Sequence, residues 1–273
     1  MFGKNKGWVT PVQQAAYDKF VAPLNAEEQG RLFNFIARAK TSSAKYFVLI
    51  SWLCKDQLTV LDKFIDELNN YPESYQQQLC LMTNRKSIIQ QWQNTCAVTV
   101  VQVLLGHICP RYAWDLQQTP GFDVISTNPN NENAYEQKVL IEKYGVTAAV
   151  RGDTRAGVIP INGPLDDYVT PLLGVRYTTM EASGSAQTVF ANARKQLDRG
   201  IDVPLLVGFV GTGARHFLLV MKYRYTANGY EYLVYDPWDG LCDYVKESNM
   251  LQQSFYPLLN QWKISIDYYY LAN

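Results

Sequence analysis

RHFLLVMKYRYTANGYEYLVYD, residues 215–236, decides the fold. β-Branched and aromatic residues fill both of its arms, and Asn228-Gly229 stands between them. Both of those residues tolerate positive φ, so the dipeptide is a strong hairpin signal. The arms 215–225 and 230–236 are therefore predicted to run antiparallel over part of their length. Because the arms differ in length, the sequence leaves their register open. His216, one of only two histidines in the chain, lies at the start of the first arm. Strand alternation places it on one side with Leu218 and Val220. Asp236 ends the second arm, and Pro237-Trp238-Asp239-Gly240 then turns the chain.

Further strands are predicted on either side of this hairpin. VPLLVGFVG (203–211) precedes it, and KISIDYYYLA (263–272) follows it. An amphipathic helix over Thr188–Arg199 is stopped by Gly200. Farther upstream, a helix from Ala134 to Tyr144 leads to a short strand near Val146–Val150. Residues 117–133 form a polar loop rich in Pro and Asn. Residues 151–185 are rich in Gly and Pro and carry no clear element. A loop of that length in a compact domain is a candidate lid or binding loop, and 117–185 reads as an insertion. The first 85 residues are mostly helical. Thr10-Pro11 is one helix start, and Asn25, followed by Glu27 and Glu28, is another. Apolar residues at i, i+3 and i+4 recur from Glu28 to Lys40 and from Gln57 to Leu68. Asn69-Asn70-Tyr71-Pro72 stops the second run. Helices first and antiparallel strands later make an α+β protein. The division is a helical cap or docking region, 1–85, and a second domain, 86–273.

Composition narrows the function classes. The 273 residues are 47% hydrophobic and 13% aromatic, which supports a real core. Formal net charge is zero, so no strong electrostatic attraction to nucleic acid or to an anionic membrane is implied. The five cysteines, Cys54, Cys80, Cys96, Cys109 and Cys242, are odd in number and share no CxxC spacing. Neither a zinc site nor a disulfide framework fits, and no metal or cofactor is implied. The N-terminus lacks a secretory leader, and the apolar window 46–54 is too short to span a bilayer. The expectation is a soluble protein, cytoplasmic or exported by a route other than the general secretory one.

QQWQNTCAVTVVQVLLG (90–106) holds the chemistry-bearing cysteine. Asn94 or Thr95 is positioned to cap a helix running to about Ile108, with Pro110 beyond it. Cys96 then sits at the helix N-terminus, where free N–H groups and an imidazolium would favour thiolate over thiol. The same N–H groups would hold an oxyanion, and Gln90 would add a side-chain donor. Gln91 and Gln93 compete with it for that role. His107 lies eleven residues past Cys96, about 16 Å along a helix. It cannot pair with Cys96 and reads as structural. His216 is the remaining base, Asp236 its orienter. Trp238 is placed to cover the ion pair or to contact substrate.

In order, Gln90, Cys96, His216 and Asp236 resemble the parts of a papain-like cysteine peptidase of the C39-like kind, related to bacteriocin-processing peptidases. In that family a Gln precedes the Cys by six residues, a His opens an H-F/W-hydrophobic strand, and the Asp lies in a D-P-x-x-G turn. Gln90, His216-Phe217-Leu218 and Asp236-Pro237-Trp238-Asp239-Gly240 match those features. The resemblance covers about residues 86–245. It implies a helical lobe carrying Cys96, a sheet carrying His216 and Asp236, and cleavage of a peptide or amide bond in a protein or peptide substrate. It departs at Thr95-Cys96-Ala97, where the family usually has Asp-Cys-Gly, and in the 120 residues from Cys96 to His216. Stand-alone relatives with a helical N-terminal part resemble bacterial effectors or toxins, which would imply an immunity or inhibitor protein as partner. Two alternatives share the motif order. One is acyl transfer, as in transglutaminases or arylamine N-acetyltransferases. The other is a non-catalytic binding module on a peptidase-like fold.

Overall fold

The computed structural model describes residues 24–40, 63–66, 69–70, 88–108, 112, 131–153, 157, 159–182, 186–251 and 264–273. Cys54, Cys80, Cys109, Pro110, the Thr10-Pro11 helix start and nearly all of loop 117–133 lie outside them. Helix α1 spans Ala26–Arg38. Asn25 caps it, accepting from the Glu28 N–H while the Glu28 carboxylate accepts from the Asn25 N–H. This reciprocal box satisfies two amides that the first turn would otherwise leave bare. Asn69 closes the other end: its side chain accepts from Lys40 N–H and donates to the Arg38 carbonyl.

Helix α2, Cys96–Ile108, is buried on every side from Cys96 to Gly106, as a helix without a polar face must be. Helix α3 spans Glu132–Glu142 under an Asn131 cap. Strand β1 is Tyr177–Glu181, and helix α4 is Ala186–Leu197. Strands β2 (Val203–Phe209), β3 (Arg215–Thr226), β4 (Gly229–Asp236) and β5 (Leu241–Lys246) follow. Helix α5 (Glu247–Leu251) and strand β6 (Ile264–Ala272) complete the order. The six strands form one antiparallel sheet in the order β1-β6-β2-β3-β4-β5. Alternation along β3 splits the core in two. Phe217, Leu219 and Met221 pack with α2 in one core. Leu218 and Val220 pack with Val189, Phe190 and Ala193 of α4 in the other. The molecule is thus α+β, with a helical part before an antiparallel sheet.

Three expectations change. Val146–Val150 is not a strand. Its peptide groups pair with a side chain and a loop rather than a neighbouring strand: Asn94 bonds the Thr147 carbonyl and the Ala149 N–H, and Gln93 N–H bonds the Ala149 carbonyl. Residues 162–173 of the unassigned stretch are helical, with a π-helical turn over Leu165–Val169 between two short α segments. Strands β1 and β5 were not anticipated, because each is short and only sparsely apolar. Asn69 and Asn70 of the expected stop are themselves helical, and Tyr71-Pro72 lie outside the described residues.

Candidate active site

The His–Asp hairpin has a register that the sequence left open. A bulge between Val220 and Lys222 accommodates the longer arm, and Leu219 pairs with Tyr235. Asp236 therefore faces residue 218, one diagonal step from His216 on the same face of the sheet. An imidazole spans that separation readily. His216 Nε2 donates to Asp236 Oδ1 at 2.7 Å. The same carboxylate oxygen accepts the Trp238 N–H at 2.8 Å, which fixes it against the turn. With Nε2 occupied, Nδ1 is the ring nitrogen left for a second partner.

Cys96 lies close enough to His216 for its side chain to act on the ring. Cys96 belongs to the α2 core, whereas His216 stands by alternation on the α4 side of the sheet. They meet where β3 begins. All three groups are buried: Cys96 is 3%, His216 8% and Asp236 7% exposed. Burial alone favours the neutral imidazole, but the Asp236 carboxylate, and after it Cys96, outweigh burial and push His216 up to about 10. Phe209 stacks against the ring, centroids 6.3 Å apart. Asp239, half-buried beside Asp236, is pushed up to about 6 by burial first and by that neighbouring charge second.

The capping expectation for α2 fails in detail. The hydroxyl of Thr95 turns to Trp92 and to Gln137, and the side chain of Asn94 is spent on residues 147 and 149. Neither side chain caps the first-turn amides. Gln90 is fully buried and six residues from Cys96, as the sequence has it. Its Nε2 donates to the carbonyls of Trp92 and Gln93, both at 2.8 Å, and its Oε1 has no hydrogen-bond partner. To serve an oxyanion, the amide must release one of those carbonyls. Gln93 Oε1 accepts the Gly152 N–H, and Gln91 Nε2 donates to the Ile89 carbonyl. Trp238 is half-buried and stacks under Arg151, Cζ 3.7 Å from the ring centroid. His107 pairs with Asp202, away from Cys96.

Two residues that organise the site gave little sequence signal. Gln137, on α3, is wholly buried. Its Oε1 accepts from Gln91 N–H and Thr95 Oγ1, while Nε2 donates to the Ile89 carbonyl and to Gln102 Oε1. Gln102 was the available clue, an amide inside an otherwise apolar helix that needs a polar partner. The other is Arg151, which bonds the carbonyls of Gln90 and Trp238.

The model of the Peptidase_C39 like family matches residues 75–263, that is 189 of the 273 residues. The chain belongs to that family. It is a C39-like peptidase by family and an α+β protein by fold, in agreement with the resemblance read from Gln90, Cys96, His216 and Asp236. No curated protein matches the chain. Among the described residues of this C39-like chain, no helix is long and apolar enough to cross a membrane.

Proposed function

We propose that the protein is a cysteine peptidase or amidohydrolase with Cys96 as nucleophile, His216 as acid–base and Asp236 as orienter. One observation carries this reading: a buried imidazole has Asp236 on Nε2 at 2.7 Å and lies near enough to Cys96 for the thiol to act on it. His216 takes the thiol proton on Nδ1, giving a thiolate–imidazolium pair held by the Asp236 carboxylate. The thiolate attacks the substrate carbonyl carbon, and the carbonyl oxygen becomes an oxyanion facing the amides of the first α2 turn. The imidazolium then protonates the leaving amine, the C–N bond breaks and a thioester remains. Water, losing its proton to His216, attacks the thioester and restores the thiol and a carboxylic acid. Gln90 joins the oxyanion site after its amide lets go of Trp92 or Gln93. Trp238 is the substrate-facing aromatic of this reading, and residues 1–85 serve docking.

Cys96→Ala abolishes hydrolysis of a peptide library while leaving the circular dichroism spectrum intact. Iodoacetamide at neutral pH labels Cys96 ahead of Cys242, and His216→Ala removes that preference, as peptide mapping by mass spectrometry reads directly. Equal labelling of all five thiols would sink the proposal. Incorporation of an added amine in preference to water would move the reading to acyl transfer.

A further inference from the structure

Arg151 lies on a turn after 146–150, in VRGD (150–153), a context that carries no motif. Its guanidinium donates through Nη1 to the Gln90 carbonyl at 2.6 Å and through Nη2 to the Trp238 carbonyl at 3.1 Å. Its Cζ rests 3.7 Å from the centroid of the Trp238 ring. The two carbonyls come from opposite ends of the site. Gln90 is six residues before Cys96, and Trp238 is two residues after Asp236. A parallel bond runs from Gln90 N–H to the Pro237 carbonyl at 2.7 Å. Both polar groups of the Gln90 peptide are therefore tied to the Asp236 turn, one directly and one through arginine. A planar fork with one face on an aromatic ring suits this bridge in a way that an ammonium does not.

Arg151 also acts by charge. Burial of the half-buried guanidinium holds it below the usual arginine range, and the charges of Asp239 and then Asp236 oppose that. The charged and titratable groups acting on Asp236 are His216 from β3, Arg151 from its turn, and Asp239 and Tyr235 from its own segment. Two carboxylates so close together need a cation other than the imidazolium, or one of them takes up a proton.

We propose that Arg151 is a positioning residue: it locks the loop that carries the nucleophile to the turn that carries Asp236 and supplies the cation that faces that carboxylate. The proposal rests on the cysteine-hydrolase reading, and its test separates the two. Second-order rate constants for iodoacetamide at Cys96 are measured between pH 5 and pH 9 on the full chain, for wild type, Arg151→Met and Arg151→Lys, alongside thermal melts. The expected result is a rate at neutral pH lower on the order of tenfold in Arg151→Met, as for other small misplacements of reacting groups. Its acid limb moves to higher pH, because the Asp236 carboxylate without its neighbouring cation is held less firmly against the ring and supports the imidazolium less. Arg151→Lys restores the limb, since the charge returns. It leaves the rate depressed, since one ammonium does not bridge two carbonyls and stack. A wild-type rate and limb in both variants overturns the proposal. So does a rate loss that follows melting temperature alone with the limb unmoved. If wild-type Cys96 itself reacts no faster than Cys242, it is the hydrolase reading that fails. Should Arg151→Met not fold, the rate and limb of Arg151→Lys decide by the same criteria.

Discussion

His216 is pulled two ways, and the balance is measurable because the chain has only two histidines. Burial opposes the imidazolium; Asp236 and then Cys96 favour it, and the net effect lifts the ring from 6.5 to about 10. A base raised in the folded state adds stability that is fully present below about 6.5 and is lost as pH rises through about 10. Asp236→Asn removes the main supporting charge. The His216 ring resonance, identified by its persistence in His107→Gln, is then expected to titrate at markedly lower pH by NMR, and thermal stability to stop falling over the 6.5–10 window. An unmoved midpoint would deny Asp236 its part. At this scale the sequence was most legible for residues whose surroundings are local. Cys96 opens an apolar run, His216 opens a strand and Asp236 closes its hairpin partner. Arg151 and Gln137 were not legible, because their partners Gln90, Trp238 and Gln91 are 61, 87 and 46 residues away.

At the scale of elements, the start of α2 is fixed from outside the helix. Gln137 on α3 collects the Gln91 N–H, the Thr95 hydroxyl and the Ile89 carbonyl, so one side chain sets the path of residues 89–95. Gln137→Leu has nearly the right volume and no bonds to offer. It leaves several buried groups unpaired at about 1–3 kcal/mol each. A loss of roughly 3 kcal/mol in urea unfolding is expected, together with slower Cys96 alkylation. A stable variant with unchanged alkylation would show that the loop holds itself. At the other end of the chain, Asn25→Ala should cost α1 about 1 kcal/mol through its lost capping box, read as a small fall in melting temperature with Cys96 unaffected. Helices α1 to α4 and strands β2, β3, β4 and β6 were legible from periodicity and turn residues. The hairpin register was not, because one bulged residue between Val220 and Lys222 decides it and leaves no mark on the pattern. Nor was the loop 146–150, whose apolar residues read as a strand but whose peptide groups found Asn94 instead of a neighbouring strand.

At the scale of the whole molecule, the site lies on a seam between segments far apart in sequence. The Tyr235 hydroxyl donates to the Ile88 carbonyl at 2.6 Å, next to the Gln90–Pro237 bond. Tyr235→Phe leaves that buried carbonyl without a donor, at about 1–3 kcal/mol. Denaturant midpoints should fall accordingly, with no change in secondary structure. A neutral substitution would mean that the seam is held elsewhere. Strand order across the sheet has a further consequence, for how the molecule comes into being. Strand β6 lies between β1 and β2, so β1 reaches the sheet only through a strand that starts 83 residues after β1 ends. During synthesis Cys96 leaves the ribosome 120 residues ahead of His216, and β6 another 48 residues behind that. Until His216 has been made, the nascent chain carries this thiol as an ordinary cysteine. The proposed nucleophile therefore meets its proposed base only after 120 further residues have been made.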